Sequence, residues 1–366
     1  MNKKHILLTI RQGKIGGGER HVLDICQNID KSKFEISVLS FTDGPMIESL
    51  NKLNISNRVI HTTKPFDYTV WPKVISYIQN IKPDIVHAHG TRAFSNLLRP
   101  ARKKDVPILY TIHGWSFHPD QSIVVNFIRK TTEMFLCRNA KLNIFVSHAD
   151  RNIANKLGIK NGMVIPNGIN TSHIVSVPAQ IKAHYKDKFL VGFVGRFTKQ
   201  KNPLHFLQAA VACASDDEIH FLMIGDGDLM NQSVQFIEKN KLKNVSLLGF
   251  RQDVYDILSE LDVFCLPSLW EGLPISLLEA MIMKKAIIAT KIPGNKELIN
   301  DNENGLLIEV NNTDNLVKQI NYLKNNEDFR NRIAEKAYED AKLKYDVCDM
   351  VKKLEMVYEN IDLNNN

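Results

Sequence analysis

The chain has 366 residues, comfortable for two domains of roughly 180 each and long for a single core. Its 44% apolar and 24% charged residues are ordinary for a globular protein, and its five cysteines (Cys26, Cys137, Cys213, Cys265, Cys348) are odd in number and lack any C-x-x-C, which argues against a disulfide framework or a cysteine zinc site. The net charge of +7 hides an asymmetry: residues 1–185 hold 25 Lys and Arg against 12 Asp and Glu, a net +13, whereas residues 186–366 hold 22 against 28, a net −6.

The chain opens on MNKKHILLTI, two lysines before a short apolar run that soon meets Arg11. That run is too short for a signal-peptide core and reads as a first strand. No stretch approaches the roughly 20 apolar residues of a membrane span, and the cysteine usage fits a reducing cytoplasm. Further apolar runs follow at FEISVLSF, DIVHAHG, ILYTIHG, LNIFVS and GMVIPNG, separated by segments of helical spacing, a pattern that predicts an α/β domain with a parallel, doubly wound sheet. Gly16, Gly17 and Gly18 lie between the first strand and a helix, where glycines admit a close ligand and a helix start favours an anion; a flexible turn is the plainer use of the same residues. His89 and His113 each end a strand and precede glycine, which places them at the carboxyl edge of the sheet where open α/β domains bind ligands. His87 reads as core. Arg99, Arg102, Lys103 and Lys104, after Leu97 and Leu98, are the densest basic cluster, suited either to a solvated helix face or to an anionic membrane surface. No stacking aromatics interleave these cations, so nucleic acid is not an expected partner.

After IPNGIN, residues 171–188 are polar and weakly periodic and read as a linker. FLVGFVGRFTKQKNP then restarts a strand and places Arg196 and Lys201 just beyond it. The stretch around FCLPSLWEGLPISLLEAM gives strand, Pro/Gly-rich loop and apolar helix, with Pro274 at the first helical turn, so unpaired amides and partial positive charge await an anion. Glu271 and Glu279 frame that opening. Spacing alone leaves them equally as solvated charges or as acceptors for paired sugar hydroxyls. From residue 313 the sequence is helical and charged and ends in an asparagine-rich tail.

The E-x7-E spacing within P-S-x-x-E-G-L-P-x-x-x-L-E-A-M resembles the large retaining glycosyltransferase family four (group 1), which uses nucleotide-sugar donors. The resemblance covers nearly the whole chain and is strongest over 190–310. It implies a GT-B fold, two Rossmann-like domains with parallel sheets facing across a cleft: 1–170 on the acceptor side, 171–188 as linker, 189–345 for the nucleotide-sugar, and 346–366 as a helix returning to the first domain. Carried over residue by residue, it implies Glu271 and His113 as the catalytic pair, the first on the transferred sugar and the second supporting charge at the anomeric carbon. Arg196 and Lys201, in the R-x4-K spacing, would hold the pyrophosphate with Gly272, Leu273, Pro274 and Ile275. Glu279 would bind the ribose, Phe250 and Arg251 the base, and Gly17 and Gly18 the diphosphate or acceptor. Asp226-Gly227-Asp228 looks like the D-x-D metal motif of a different glycosyltransferase class, but it follows a strand in I-G-D-G-x-L, where a turn is the simpler role, so no metal and no cofactor are expected. Ile292-Pro293-Gly294-Asn295-Lys296-Glu297 departs from the G-[IV]-P-E wording usual at that loop. The expected activity is retaining transfer of a hexose or N-acetylhexosamine, from a UDP-sugar foremost, to a lipid-linked or amphipathic glycan in O-antigen, capsule or exopolysaccharide synthesis. Such an enzyme would sit peripherally on the inner face of the cytoplasmic membrane through its basic N-terminal half. Two alternatives are a non-hydrolysing nucleotide-sugar epimerase on the same scaffold and an inactive sugar-nucleotide-binding subunit.

Overall fold

The apolar runs of the sequence become buried parallel strands in the computed structural model, which describes residues 3–13, 16–118, 121–172 and 181–361. The chain divides into two units, residues 1–168 with 347–366 and residues 169–346. Unit 1 alternates strand and helix: β1 (Lys4–Ile10), α1 (Gly17–Asn28), β2 (Phe34–Ser40), α2 (Pro45–Lys52), β3 (Ser56–Val59), α3 (Trp71–Ile81), β4 (Ile85–His89), α4 (Thr91–Lys103), β5 (Ile108–Ile112), α5 (Ile123–Asn139), β6 (Leu142–Phe145), α6 (His148–Lys156) and β7 (Gly162–Val164). Unit 2 continues with α7 (Ile181–His184), β8 (Phe189–Val194), α8 (Pro203–Ala212), β9 (Ile219–Ile224), α9 (Met230–Asn240), β10 (Val245–Gly249), α10 (Val254–Glu260), β11 (Val263–Leu266), α11 (Ile275–Ile282), β12 (Ala286–Thr290), α12 (Pro293–Lys296), β13 (Leu306–Ile308), α13 (Thr313–Asn325) and α14 (Glu327–Lys344). The last helix, α15 (Val347–Asn360), belongs to unit 1.

The sheet of unit 1 runs β3-β2-β1-β4-β5-β6-β7 and that of unit 2 runs β10-β9-β8-β11-β12-β13, with every pairing parallel. In each, the chain starts in the middle, winds outward one way and then crosses to wind the other. That order leaves a crevice at the carboxyl ends of the two central strands, β1 and β4 in unit 1, β8 and β11 in unit 2. Parallel strands covered on both faces need apolar side chains on both, which is why β4, β5, β9, β11 and β12 are buried along their whole length.

The return of α15 has a local cause. Met350, Val351, Leu354 and Tyr358 recur at helical spacing and join the core built from β1, α1 and β2. Tyr358 is fully buried, its hydroxyl pairs with His87 Nδ1 at 2.7 Å, and its carbonyl accepts from Lys4 Nζ at 2.9 Å. The other ring nitrogen of His87 meets the Thr111 hydroxyl at 2.7 Å, so this histidine is a satisfied core residue.

Part of the expected linker is structured. Residues 173–180 lie outside the described residues, but Ile181 is buried, Tyr185 stacks on His220 with centroids 4.2 Å apart, and its hydroxyl bonds Ser246 at 2.6 Å. Two apolar side chains four apart in a charged stretch are enough to seat one helical turn on unit 2.

In unit 2, Phe193, Phe197, Phe206 and Phe221 mesh with centroids 5.2 to 5.8 Å apart, each burial contributing about 1.5–3 kcal/mol. Phe197 thereby pins the loop that follows β8. The I-G-D-G turn after β9 pins it from the other side: Phe197 N donates to Asp226 O at 3.0 Å and Leu229 N to Phe197 O at 2.8 Å. Gly225 sits at φ +133°, and a Cβ there would lie 1.9 Å from the Gly195 carbonyl oxygen. Asp226 spends one carboxylate oxygen on its own Gly227 amide. Gly225→Ala should therefore lower the unfolding free energy by about 2–5 kcal/mol, from backbone strain and overpacking together, as read by urea denaturation.

Candidate functional site

Each unit carries a cluster of polar side chains at its own crevice. In unit 2 the strand exits of β8 and β11 bring Arg196, Gln200, Lys201, Ser268 and Glu271 to one edge. Glu271 is nearly buried, its side chain 6% exposed, and its Oε1 lies 2.6 Å from Lys201 Nζ and accepts from the Ser268 hydroxyl at 2.7 Å. Its Oε2 accepts from Gln200 Nε2 at 3.2 Å. The same Gln200 amide donates to Trp270 O at 3.0 Å, and Leu269 N donates to Gln200 O at 2.8 Å, so the loops after β8 and β11 are laced together. Three donors on one carboxylate hold it in a single position.

Behind this carboxylate the loop is braced by the stretch that departs from the expected wording. Ser268 O accepts from the Thr290 hydroxyl at 2.5 Å, and buried Asn295 donates through Nδ2 to Thr290 O and Oγ1 at 2.9 and 3.2 Å. A Cβ on Gly294 would stand 2.5 Å from Glu271 O and 2.6 Å from Gly272 O. The Ile292-Pro293-Gly294-Asn295 segment is thus the floor of the Glu271 loop, and glycine is the residue that lets the two backbones meet.

Helix α11 starts at Ile275, with Pro274 as its extended N-cap, one residue later than the sequence suggested. The amides of Ile275 and Ser276 find no backbone acceptor among the described residues, and the buried Ser276 hydroxyl has no partner there either. Gly272, Leu273 and Pro274 are buried and lead straight into this opening. Arg196 is half-buried and makes no ion pair among the described residues. One guanidinium, one ammonium and a helix start are groups of the kind that could hold an anion. Glu279 lies half-buried inside α11. Phe250 is exposed after β10, and Arg251 donates through Nε to Asp253 Oδ1 at 2.7 Å, an ion pair that raises the arginine pKa and lowers that of the aspartate. Arg251 thus pairs with a neighbouring carboxylate.

In unit 1 the carboxyl edge carries histidines. His89 Nδ1 and His113 Nε2 are 3.1 Å apart, and the His21 ring lies 5.4 Å from that of His89 and 4.9 Å from that of His113, centroid to centroid. Gly17 and Gly18 open α1, and a Cβ on Gly18 would lie 3.5 Å from His113 Cδ2, in ordinary contact. His89 Nε2 and His113 Nδ1 have no hydrogen-bond partner among the described residues. Burial pushes the His21 imidazole down to about 4, with the Asn167 side chain pulling it partly back, and burial pushes His87 down to about 3, helped by His21. His89 and His113 are held well below the usual histidine range, first by burial and then by neighbouring histidines, with Arg11 adding to the effect on His113. The edge is a set of neutral imidazoles with unspent hydrogen-bonding capacity. One nitrogen each of His21, His89 and His113 lies within 4.8 Å of the others, so these residues could also offer three imidazole ligands to a metal ion.

The sequence reading missed His21, Gln200, Ser268 and the bracing role of Gly294 and Asn295. His21 lay inside an amphipathic helical pattern and Gln200 inside a polar run, where no spacing marks them. The altered loop wording at Gly294 was visible, but its contact with Glu271 is a matter of tertiary approach.

Because the folded-state histidine values lie below the unfolded value of about 6.5, the unfolded chain binds more protons as the pH falls. Stability present above pH 6.5 should be lost between about 6.5 and 4 as His21 titrates, a few kcal/mol in chemical denaturation. His21→Gln should remove the His21 share of that pH dependence and leave the share of His87, His89 and His113.

Two family models match the chain, one described as Glycosyltransferase Family 4 over residues 15–173 and one as Glycosyl transferases group 1 over residues 178–340. Among curated proteins, the UDP-Gal:alpha-D-GlcNAc-diphosphoundecaprenol alpha-1,3-galactosyltransferase of Escherichia coli is 30% identical over 336 residues, 84% of each chain. The N,N'-diacetylbacillosaminyl-diphospho-undecaprenol alpha-1,3-N-acetylgalactosaminyltransferase of Campylobacter jejuni is 26% identical over 302 residues, 78% of this chain and 79% of its own. Among solved structures, HepE of Anabaena in complex with UDP and glucose superposes with a TM-score of 0.87 over 98% of this chain and 100% of its own, at 22% identity. Two doubly wound parallel sheets, a fold shared with that structure, the two family models and 30% identity along most of a galactosyltransferase place the chain in one family: it belongs to the group 1 glycosyltransferases, with the GT-B fold.

Proposed function

We propose that the chain is a retaining glycosyltransferase that moves a hexose or N-acetylhexosamine from a UDP-sugar to a lipid-linked glycan in the synthesis of a surface polysaccharide. The observation that carries this reading is the Glu271 carboxylate, fixed by Lys201, Ser268 and Gln200 beside the opening of α11. Support for the donor and acceptor comes from the relatives, one named for UDP-Gal and both for undecaprenol-linked acceptors. Both names also specify alpha linkages. A UDP-hexose carries its sugar in the alpha configuration, so an alpha product means retention.

In the proposed reaction the bond between the anomeric carbon and the diphosphate oxygen breaks, and the bond from the acceptor oxygen forms on the same face. The acceptor hydroxyl gives its proton to the leaving diphosphate, so no side-chain base is assigned. Arg196, Lys201 and the α11 amides stabilise the negative charge that builds on the leaving group, and they are in place before it forms. Glu271 accepts from hydroxyls of the transferred sugar, Glu279 from the ribose, and Phe250 lines the base. Gly17 and Gly18 leave room for the substrate at the start of α1. His113, with His89, offers neutral nitrogens to sugar hydroxyls, and its imidazole lone pair supports the electron-poor anomeric carbon. No metal and no cofactor take part in this scheme, since Arg196 and Lys201 supply the positive charge. The membrane-anchored acceptors in the relatives' names favour a peripheral enzyme at the cytoplasmic face of the membrane.

Glu271→Gln keeps one acceptor oxygen for Ser268 but turns an NH2 toward Gln200 and leaves the Lys201 ammonium without its carboxylate. It should cost about 3–5 kcal/mol of stability and, assayed where thermal unfolding shows the variant still folded, lose at least 100-fold in kcat with a synthetic lipid-diphosphate glycan and UDP-sugar. Lys201→Ala should lose activity and also about 3–5 kcal/mol of stability, because it strands the Glu271 charge. A beta-configured product in the NMR spectrum would overturn retention. EDTA should leave the rate unchanged, and EDTA inhibition reversed by zinc would instead assign a metal to His21, His89 and His113.

A further inference from the structure

Helix α5 is built inside out for a helix on a water-facing domain. Its inner face holds its only acid: Glu133, 1% exposed, accepts from the Thr91 hydroxyl at 2.6 Å and the Tyr110 hydroxyl at 2.8 Å, with Leu136 and Cys137 buried beside it. Its outer face carries Val124, Phe127, Ile128 and Phe135, a stripe with the 3- and 4-residue spacing normally turned toward a core. Phe127 is 69% exposed, Val124 68% and Ile128 57%, with Ile123 at the helix start 88%. Scattered exposed apolar residues need no explanation, but a contiguous stripe of this kind marks an interaction surface.

A neighbouring loop extends the patch. The Phe66 ring packs 6.5 Å from that of Phe135, centroid to centroid, and Tyr68 beside it is 74% exposed. Phe66 is held at φ +51°, and the loop is tied down by Phe66 N to Ser95 Oγ at 3.2 Å and Asp67 N to Asn96 Oδ1 at 2.7 Å. A bulky residue in the left-handed region costs strain, and here that strain presents an aromatic ring at the surface.

The charge around the stripe is predominantly positive. Arg129, Lys130 and Arg138 on α5 are exposed, as is Lys64 at the loop, and Arg102 at the end of α4 bonds Asn139. By contrast the basic cluster singled out in the sequence adds no apolar surface of its own: Leu97 and Leu98 are buried, and Arg99 lies over the Trp71 ring at 5.3 Å. Aromatic and aliphatic side chains rimmed mainly by cations, with one half-buried acid, Asp67, whose carboxylate accepts from the Thr62 and Thr69 hydroxyls at 2.7 and 2.5 Å, is the composition of a helix that lies in the plane of an anionic bilayer. No helix among the described residues is long and apolar enough to cross one. A second copy of the chain fits worse, because a twofold interface on this face would set Arg129, Lys130 and Arg138 against their own equivalents.

We infer that the outer face of α5, with Phe66 and Tyr68, is a docking surface for an anionic phospholipid bilayer. The inference rests on the proposed lipid-linked acceptor only for why the chain should be at a membrane. In co-sedimentation with vesicles of phosphatidylcholine alone or mixed with phosphatidylglycerol, the full chain should partition at least tenfold more strongly onto the anionic ones. The double variant Phe127→Ser with Ile128→Ser should lose at least tenfold of that binding, and Arg129→Gln with Lys130→Gln should lose a comparable factor that added salt abolishes in the parent chain. Unchanged thermal unfolding of the variants checks their fold. Transfer to a short-chain, water-soluble acceptor should be unaffected, while transfer to an acceptor embedded in anionic vesicles should fall with the binding. Equal binding of variant and parent, no preference for anionic vesicles, or a dimer that the Phe127→Ser change converts to monomer would overturn the inference. Vesicle binding needs no turnover, so it can fail while the transferase reading stands, and the reverse.

Discussion

The ion pair between Lys201 and Glu271 is the constraint on which the candidate site of unit 2 depends. Both side chains are almost out of water, at 12% and 6% exposure, so neither charge is tolerable there without the other. A buried pair of this kind adds little net stability, since desolvation consumes most of the Coulomb attraction. What it does is fix position. Lys201 arrives from the strand exit of β8 and Glu271 from that of β11, and the pair exists only when both loops take one conformation. The other bonds in the region serve that registration: Gln200 to the Trp270 carbonyl, Ser268 to Glu271, Thr290 to Ser268, and Asn295 to Thr290. A carboxylate held this way pays its reorganisation during folding and not at the moment of reaction.

Winding order explains why the pair stands where it does. In both sheets the first strand of the unit is central and the chain reverses direction across it, so the carboxyl ends of two adjacent strands send their loops to opposite faces. Unit 2 fills that crevice with cations and a helix start. Unit 1 fills the same topological position with imidazoles, and burial keeps them uncharged. One architecture therefore yields two electrostatic characters.

Much of this was legible in the sequence. Buried parallel strands leave continuous apolar runs, so FEISVLSF, ILYTIHG and LNIFVS announce themselves, and a strand followed by glycine and a helix start announces a ligand edge. Arg196, Lys201, Glu271 and Glu279 were singled out because they flank such edges at a spacing that resembles a known family. The braces were not found, since Gln200, Ser268 and Asn295 act through hydrogen bonds to residues far along the chain, and a polar residue in a loop looks the same whether it meets water or a carboxylate. The short α7 was hidden in a charged segment because two apolar side chains are too few to show a period. Arg251 pairs with Asp253 two residues on, a contact that the spacing did not single out.

The outward stripe of α5 escaped the sequence for a related reason. Periodicity reports that a helix has an apolar face, not which way the face turns, and the default assignment is inward. On α5 that assignment fails because Glu133 takes the inward position, where the Thr91 and Tyr110 hydroxyls satisfy both carboxylate oxygens. A buried acid with two hydroxyl donors sets the rotation of the whole helix, since turning Phe127 inward would carry Glu133 out and leave Tyr110, itself fully buried, without a partner. The polar contact beneath the helix is thus what holds its apolar residues in the open.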